Sequence, residues 1–218
     1  MYEAFEKQPQ AKKDLILQVA IEEFVKNGYE KTSTDIITSR AGISKGILFY
    51  YFKSKKNLYL YLASYVIDLL TKKTIEALAD VQTTDFFERI KEAVWLKQKA
   101  TAPYKQETQF ITDVLLHPPK AVMPEIEDLL KRQHETYGAE FTQSRLYPKE
   151  LIIEEKLRTG MSKERVIQMT AFVVEQLSAK YQALQKSKQY DFFEDPGPLM
   201  KELDDYLDIV KHGVYKPE

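Results

Sequence analysis

Residues 32–58 read Thr-Ser-Thr-Asp-Ile-Ile-Thr-Ser-Arg-Ala-Gly-Ile-Ser-Lys-Gly-Ile-Leu-Phe-Tyr-Tyr-Phe-Lys-Ser-Lys-Lys-Asn-Leu, and few folds accept that order. Two short stretches of helical spacing flank Gly42, which leaves room only for a tight corner between them. Thr32 or Ser33 can cap the first helix, whose buried face is expected to be Ile36, Ile37 and Ala41. Gly42 permits the turn and Ile43 fills the space between the helices. Ser44 caps the second helix, where Leu48 and Phe52, four apart, face inward. This geometry is a helix-turn-helix, whose second helix can enter a major groove.

The outer side of that second helix is unusual. Lys45, Gly46, Ile47, Phe49, Tyr50 and Tyr51 project from its start and outer surface. An exposed aromatic cluster on so short a helix is costly unless something covers it. Tyrosine hydroxyls and a lysine, beside a glycine that allows close approach, suit phosphates and base edges. Phe49 and Tyr51 can equally pack on neighbouring helices.

Elsewhere the seven glycines and nine prolines fall between segments of helical period. Leu15, Ile16, Val19, Ala20, Phe24 and Val25 form a stripe that stops at Asn27-Gly28. Leu58, Leu62, Tyr65, Val66, Leu69 and Leu70 form another, and Phe86, Phe87, Ile90 and Val94 begin a third. A helix from about Tyr104 to Leu116 is ended by His117-Pro118-Pro119. Pro124 opens the next, carrying Ile126, Leu129, Leu130, Tyr137 and Phe141. A short helix near Leu151–Leu157 precedes a long one from Ser162, and a last one bears Leu199 to Val210 and closes at Gly213. The expected fold is all-α, with about nine or ten helices.

Cysteine is absent, which excludes disulfides, thiolate metal sites and a cysteine nucleophile. No apolar run exceeds six residues, as in Ile47–Phe52, far below the roughly 18 of a membrane span. The start, Met1-Tyr2-Glu3-Ala4-Phe5-Glu6-Lys7, lacks the basic and apolar stretches of a secretory signal, so a soluble cytoplasmic protein with no membrane partner is expected. Net charge is −1, but unevenly spread. The first 60 residues hold ten basic and seven acidic groups, the remainder 22 and 26. A basic head on an acidic body suits an end that meets DNA.

The stretch from about Leu15 to Leu62 resembles the DNA-binding domain of the TetR family (TetR/AcrR type) of bacterial transcriptional regulators. The resemblance is carried by Gly28-Tyr29, Thr32-Ser33, Ile37, Ala41-Gly42-Ile43-Ser44-Lys45-Gly46, Leu48-Phe49-Tyr50-Tyr51-Phe52 and Ser54-Lys55-Lys56-Asn57-Leu58. It implies a three-helix DNA-binding domain over residues 8–56 and a larger helical effector-binding and dimerisation domain over 57–218. By position it implies phosphate contacts from Thr34 and Lys55, and backbone and base-edge contacts near Ser44, Lys45 and Gly46. Tyr50 and Tyr51 match positions that meet phosphates or bases. Ile47 stands where the family often has Thr, Ala or Ser and suggests an apolar contact. Phe49 replaces the usual Tyr, and Lys56-Asn57 replaces a common acidic pair, which makes this corner more basic.

The same resemblance implies a homodimer built from the last two helices, with Val166, Thr170, Val173, Leu177, Tyr181 and Leu184 facing Leu203, Tyr206, Leu207 and Val210. Those faces can also be buried within one subunit. For a small-molecule effector the candidates are Phe87, Trp95, Phe110, Met123, Tyr137 and Phe141, with the polar Gln109, His117 and His134. The expected activity is that of a ligand-responsive regulator, most simply a repressor released from a duplex operator by a small molecule. No cofactor or metal is expected. The rival reading is a helical metal-dependent enzyme built on Asp204, Asp205 and Asp208, but no second acidic cluster accompanies them.

Overall fold

The computed structural model describes residues 2–137, 146–191 and 193–215, and of residues 134, 136 and 137 the backbone alone. Among these, ten α-helices and no strand occur. They are α1 (Glu3–Glu6), α2 (Gln10–Lys31), α3 (Thr34–Arg40), α4 (Lys45–Phe52), α5 (Lys55–Ala79), α6 (Phe86–Thr101), α7 (Lys105–Leu116), α8 (Met123–Tyr137), α9 (Lys163–Lys186) and α10 (Gly197–Val214). Single 3-10 turns at Lys149–Leu151 and Glu154–Lys156 stand where a short helix near Leu151–Leu157 was expected. That segment is too short to sustain i→i−4 bonding unaided, and Ile152 and Leu157 are instead buried in the second core.

Helix ends follow the local chemistry. Gly28, at φ +69, breaks α2 internally, and the Thr32 hydroxyl then donates to the carbonyls of Glu23 and Gly28 to hold the last turn. Ser33 accepts from the Asp35 amide, Ser44 from Ile47, Asp85 from Phe87 and Glu88, and Ser162 from Arg165. Each satisfies donors that a helix start leaves open. Gly42, at φ +64, makes the corner between α3 and α4.

The chain forms two compact units, residues 1–71 with 104–135, and residues 72–103 with 136–218. The first unit is larger than the corner domain expected over 8–56, because α2 packs along α7 and one core runs through several helices. Ile16, Ala20, Phe24, Ile37, Leu48, Phe52, Leu58, Leu62, Phe110, Val114 and Ile126 all belong to it. The buried face of α2 is rotated from the sequence stripe: Leu15 is exposed, while Leu17 and Ile21 are buried. In the second unit α6, α9 and α10 close on Phe86, Phe87, Ile90, Val166, Leu177, Leu203 and Leu207.

This burial places most of the expected dimer-facing side chains within the subunit's own core. Val166, Thr170, Leu177, Tyr181, Leu203, Leu207 and Val210 are buried inside one subunit, and Val173 and Leu184 are half-buried against the same core. Those side chains pack into the core that the α9–α10 pair closes. Of the expected set only Tyr206 is exposed, together with Met169, Phe172 and Ile209.

Two glycines test this reading. A Cβ on Gly42 or on Gly213 meets nothing within 4 Å, so their difference is conformational. Gly42→Ala is expected to cost about 1–2 kcal/mol, because it forces a left-handed backbone on alanine. Gly213→Ala, within α10, is expected to stabilise by about 0.5 kcal/mol through helix propensity. Urea unfolding of both variants checks the sign of each.

Candidate nucleic-acid interface

The corner is locked to the body of the first unit before any outward side chain is considered. Arg40 at the end of α3 reaches back to α2, its Nη1 at 2.7 Å from Glu23 Oε1 and its Nη2 at 2.5 Å from Glu22 Oε2. The hydrogen bond from Arg40 holds the Glu22 carboxyl below its ordinary value. Ile37 and Ala41 are buried as expected. Ile36 is exposed, and Thr38 takes the inward place, its hydroxyl donating to the Asp35 carbonyl. Adjacent residues of a helix stand about 100° apart, so Ile36 turns outward where Ile37 faces the core.

In α4, Leu48 and Phe52 point inward and are buried. The opposite side carries Ser44, Lys45, Gly46, Ile47 and Tyr50, all exposed, with Tyr50 at 63%. Phe49 and Thr34 are half-buried at the edges of this face. Lys45 Nζ lies 2.8 Å from Asp35 Oδ1, so its charge is balanced by α3. Lys53, not singled out from the sequence, follows α4 at φ +67. Its Nζ donates to the Tyr50 carbonyl at 3.0 Å and sits 5.2 Å from that ring's centroid. Its only sequence signal is a cation directly after the last aromatic.

Two residues expected to meet DNA have partners within the fold. Tyr51 is 5% exposed, turned against α1, and its hydroxyl accepts from Lys12 Nζ at 3.2 Å. Lys55 caps the end of α2: its Nζ donates to the carbonyls of Tyr29 at 2.8 Å, Glu30 at 3.1 Å and Thr32 at 3.3 Å. It also lies 4.8 Å from the Tyr29 ring centroid. The break at Gly28 concentrates carbonyl charge there, and an ammonium answers it. Lys56 pairs with Glu125 at 2.7 Å, which removes the extra basicity expected at that corner.

The described effector candidates have differing surroundings. Phe110 is sealed in the first core beside Phe24 and Tyr59, and Phe87 in the second beside Phe86 and Tyr215. Trp95, His117 and Met123 are exposed, and Gln109 donates to Asp113. The side chains of His134 and Tyr137, and Phe141 altogether, lie outside the described residues. A cleft of about 570 Å³ in the first unit, with Tyr2, Tyr61, Tyr65, Leu129 and Arg132 in its walls, is lined by none of the described candidates. Of the acidic trio, Asp204 is paired with Lys91 at 2.6 Å and Asp208 with His212 at 3.2 Å.

Residues 16–62 match the family model described as bacterial regulatory proteins, tetR family. That match is confined to the helix-turn-helix segment of this chain. It is 54% identical over 48 residues to the HTH-type transcriptional regulator QacR of Staphylococcus aureus, a match covering 22% of this chain and 26% of that one. It is 31% identical over 123 residues to the HTH-type transcriptional regulator RutR of Escherichia coli, covering 56% of each. The matches thus span between a quarter and just over half of these curated relatives. Over nearly the whole length, a TetR family transcriptional regulator from Chloroflexus aurantiacus has the same fold, at 21% identity and TM-score 0.60, covering 99% of this chain and 98% of that one. The fatty acid degradation regulator FadR from Bacillus halodurans does so at 17% and 0.60, covering 90% and 96%. The strong local identity falls on the TetR-family helix-turn-helix, and the body shares the fold alone.

Lys55→Met is expected to lower the stability of the first unit by about 1–2 kcal/mol, since three carbonyls lose a charged donor. Lys45→Ala, a solvated pair with Asp35, is expected to change stability by less than about 0.5 kcal/mol. Chemical denaturation followed by circular dichroism separates the two.

Proposed function

We propose that this chain is a homodimeric DNA-binding transcriptional regulator, acting as a repressor that a small molecule releases from a near-palindromic operator. The observation that carries the reading is the outer face of α4, where Ser44, Lys45, Gly46, Ile47 and Tyr50 stand exposed beside one another while the inner face is anchored in a core. DNA contact is assigned to the region 8–56, and effector response and dimerisation to 57–218. Lys45, Ile47 and Tyr50 approach base edges, and Thr34 and Lys53 meet flanking phosphates. Lys45 exchanges Asp35 for the duplex, and the carboxylate discourages its collapse onto phosphates at random.

Dimerisation is assigned to the outer side of the α9–α10 pair. Phe172 is 57% and Ile209 66% exposed, and Met169, three residues before Phe172, and Tyr206, three before Ile209, are exposed on the same helix faces. Two-fold pairing of that surface supports two recognition helices set roughly 34–36 Å apart for successive major grooves. An effector that prefers a conformer with another spacing by about 2.7 kcal/mol weakens operator binding roughly a hundredfold.

Fragment selection from genomic DNA supplies the operator, and titration at several salt concentrations then tests the contacts. Lys53→Ala is expected to reduce the salt slope by about 1, and Lys45→Ala and Tyr50→Ala each to cost about tenfold or more in affinity. Asp35→Asn is expected to raise affinity for any duplex. Phe172→Glu with Ile209→Glu is expected to give a monomer in sedimentation and to abolish tight operator binding. Unchanged affinity in both α4 variants, with an unchanged slope in Lys53→Ala, overturns the reading.

A further inference from the structure

Ahead of the matched domain, α1 is folded directly onto the recognition helix. Phe5 is 0% exposed. Its ring centroid lies 5.6 Å from Tyr51, 4.8 Å from Phe52 and 5.4 Å from Tyr61. Tyr2 adds contacts at 5.9 Å to Phe52 and 4.8 Å to Tyr61, and its hydroxyl donates to the Asn57 carbonyl at 3.3 Å. Glu6 fastens the segment: it accepts from the Tyr61 hydroxyl and pairs with Lys13 at 3.2 Å. Lys12, at the start of α2, grips Tyr51 from another side and is itself held by Gln8.

The mechanical consequence follows from the length of α4. A helix of eight residues anchored only by Leu48 and Phe52 can rock about that line. Phe5 wedges against Tyr51 and Phe52 together, one on the inner face and one beside it, and removes that freedom. The neighbouring ring, Tyr50, is the exposed one, 6.0 Å from Tyr51. We propose that α1 is a positioning element for DNA recognition, in which Phe5, acting through Tyr51 and Phe52, sets the tilt at which Lys45, Ile47 and Tyr50 meet base edges together. This deepens the DNA-binding reading and rests on it. Base readout depends on closely fixed donor and acceptor positions, whereas flexible lysines follow phosphates through small shifts. Loss of Phe5 therefore acts on discrimination more than on general affinity.

The test uses the full chain with Phe5→Ala and the milder Phe5→Leu. Phe110→Leu serves as a control, since Phe110 is buried in the same core against Phe24 and Tyr59. Each is titrated with the selected operator and with a scrambled duplex of equal length, at a temperature where circular dichroism shows it folded. Phe5→Ala is expected to weaken operator binding about tenfold or more while scrambled-duplex binding stays within about twofold and the salt slope is unchanged. Phe5→Leu is expected to fall between it and the wild type, and provides the readout if the alanine variant fails to fold. Phe110→Leu is expected to lower the melting temperature and leave the operator-to-scrambled ratio intact. In the free protein, amide exchange in α4 is expected to quicken in the Phe5 variants. A wild-type ratio in folded Phe5 variants, or an equal fall for both duplexes, overturns the inference. A wild-type chain that does not distinguish the duplexes overturns the DNA-binding reading itself, and the inference with it.

Discussion

Leu48 and Phe52 sit four residues apart on a helix of only eight, and their burial beside Ile37 and Leu58 keeps α4 on the protein. Fully burying two such side chains is worth about 3–6 kcal/mol together, against a helix too short to persist unaided. That anchorage decides every other feature of the face. Once the inner side is committed, Ser44, Lys45, Ile47 and Tyr50 have nowhere to go but outward. The aromatic cluster around Phe5, Tyr51 and Tyr61 extends the anchorage to a second side of the same helix.

The cations of this region divide by the partner that reaches them first. Lys55 and Lys12 are consumed by carbonyls and a hydroxyl of the fold, and Lys56 by a carboxylate of α8. Lys45 and Lys53 remain at the surface, one beside Asp35 and one beside the Tyr50 ring. A count of basic residues therefore overstates the charge offered to a duplex. The geometry of the α2 end, broken at Gly28, explains why a lysine common to the motif is spent on structure here.

Much of the corner could be read directly from residue order. The Ser44 cap, the Gly42 turn, the inward pair Leu48 and Phe52 and the outward Tyr50 follow from spacing and from backbone preference alone. The helix stop at His117-Pro118-Pro119 and the start at Ser162 follow in the same way. The roles of Tyr51 and Ile36 did not, because helical period distinguishes sides of a cylinder but not which neighbours arrive to cover them. The surroundings of the expected dimer residues were not legible for a related reason. α9 and α10 each carry apolar residues on more than one side, and only their packing shows that Val166, Leu177 and Leu207 close the unit while Phe172 and Ile209 stay outside.

The residue order by itself determined the all-α class, the capped corner and the resemblance of that corner to the TetR-family helix-turn-helix, because those depend on contacts within a few turns of chain. Tertiary structure alone decided that Lys55 caps a helix, that α1 packs on the recognition helix, and that Phe110 and Phe87 fall into separate cores. These are consequences of contacts between residues as far apart as Phe5 and Tyr61, or Lys12 and Tyr51, which no local period encodes. A side chain's surroundings are set by what folds against it, and that information is distributed over the whole chain.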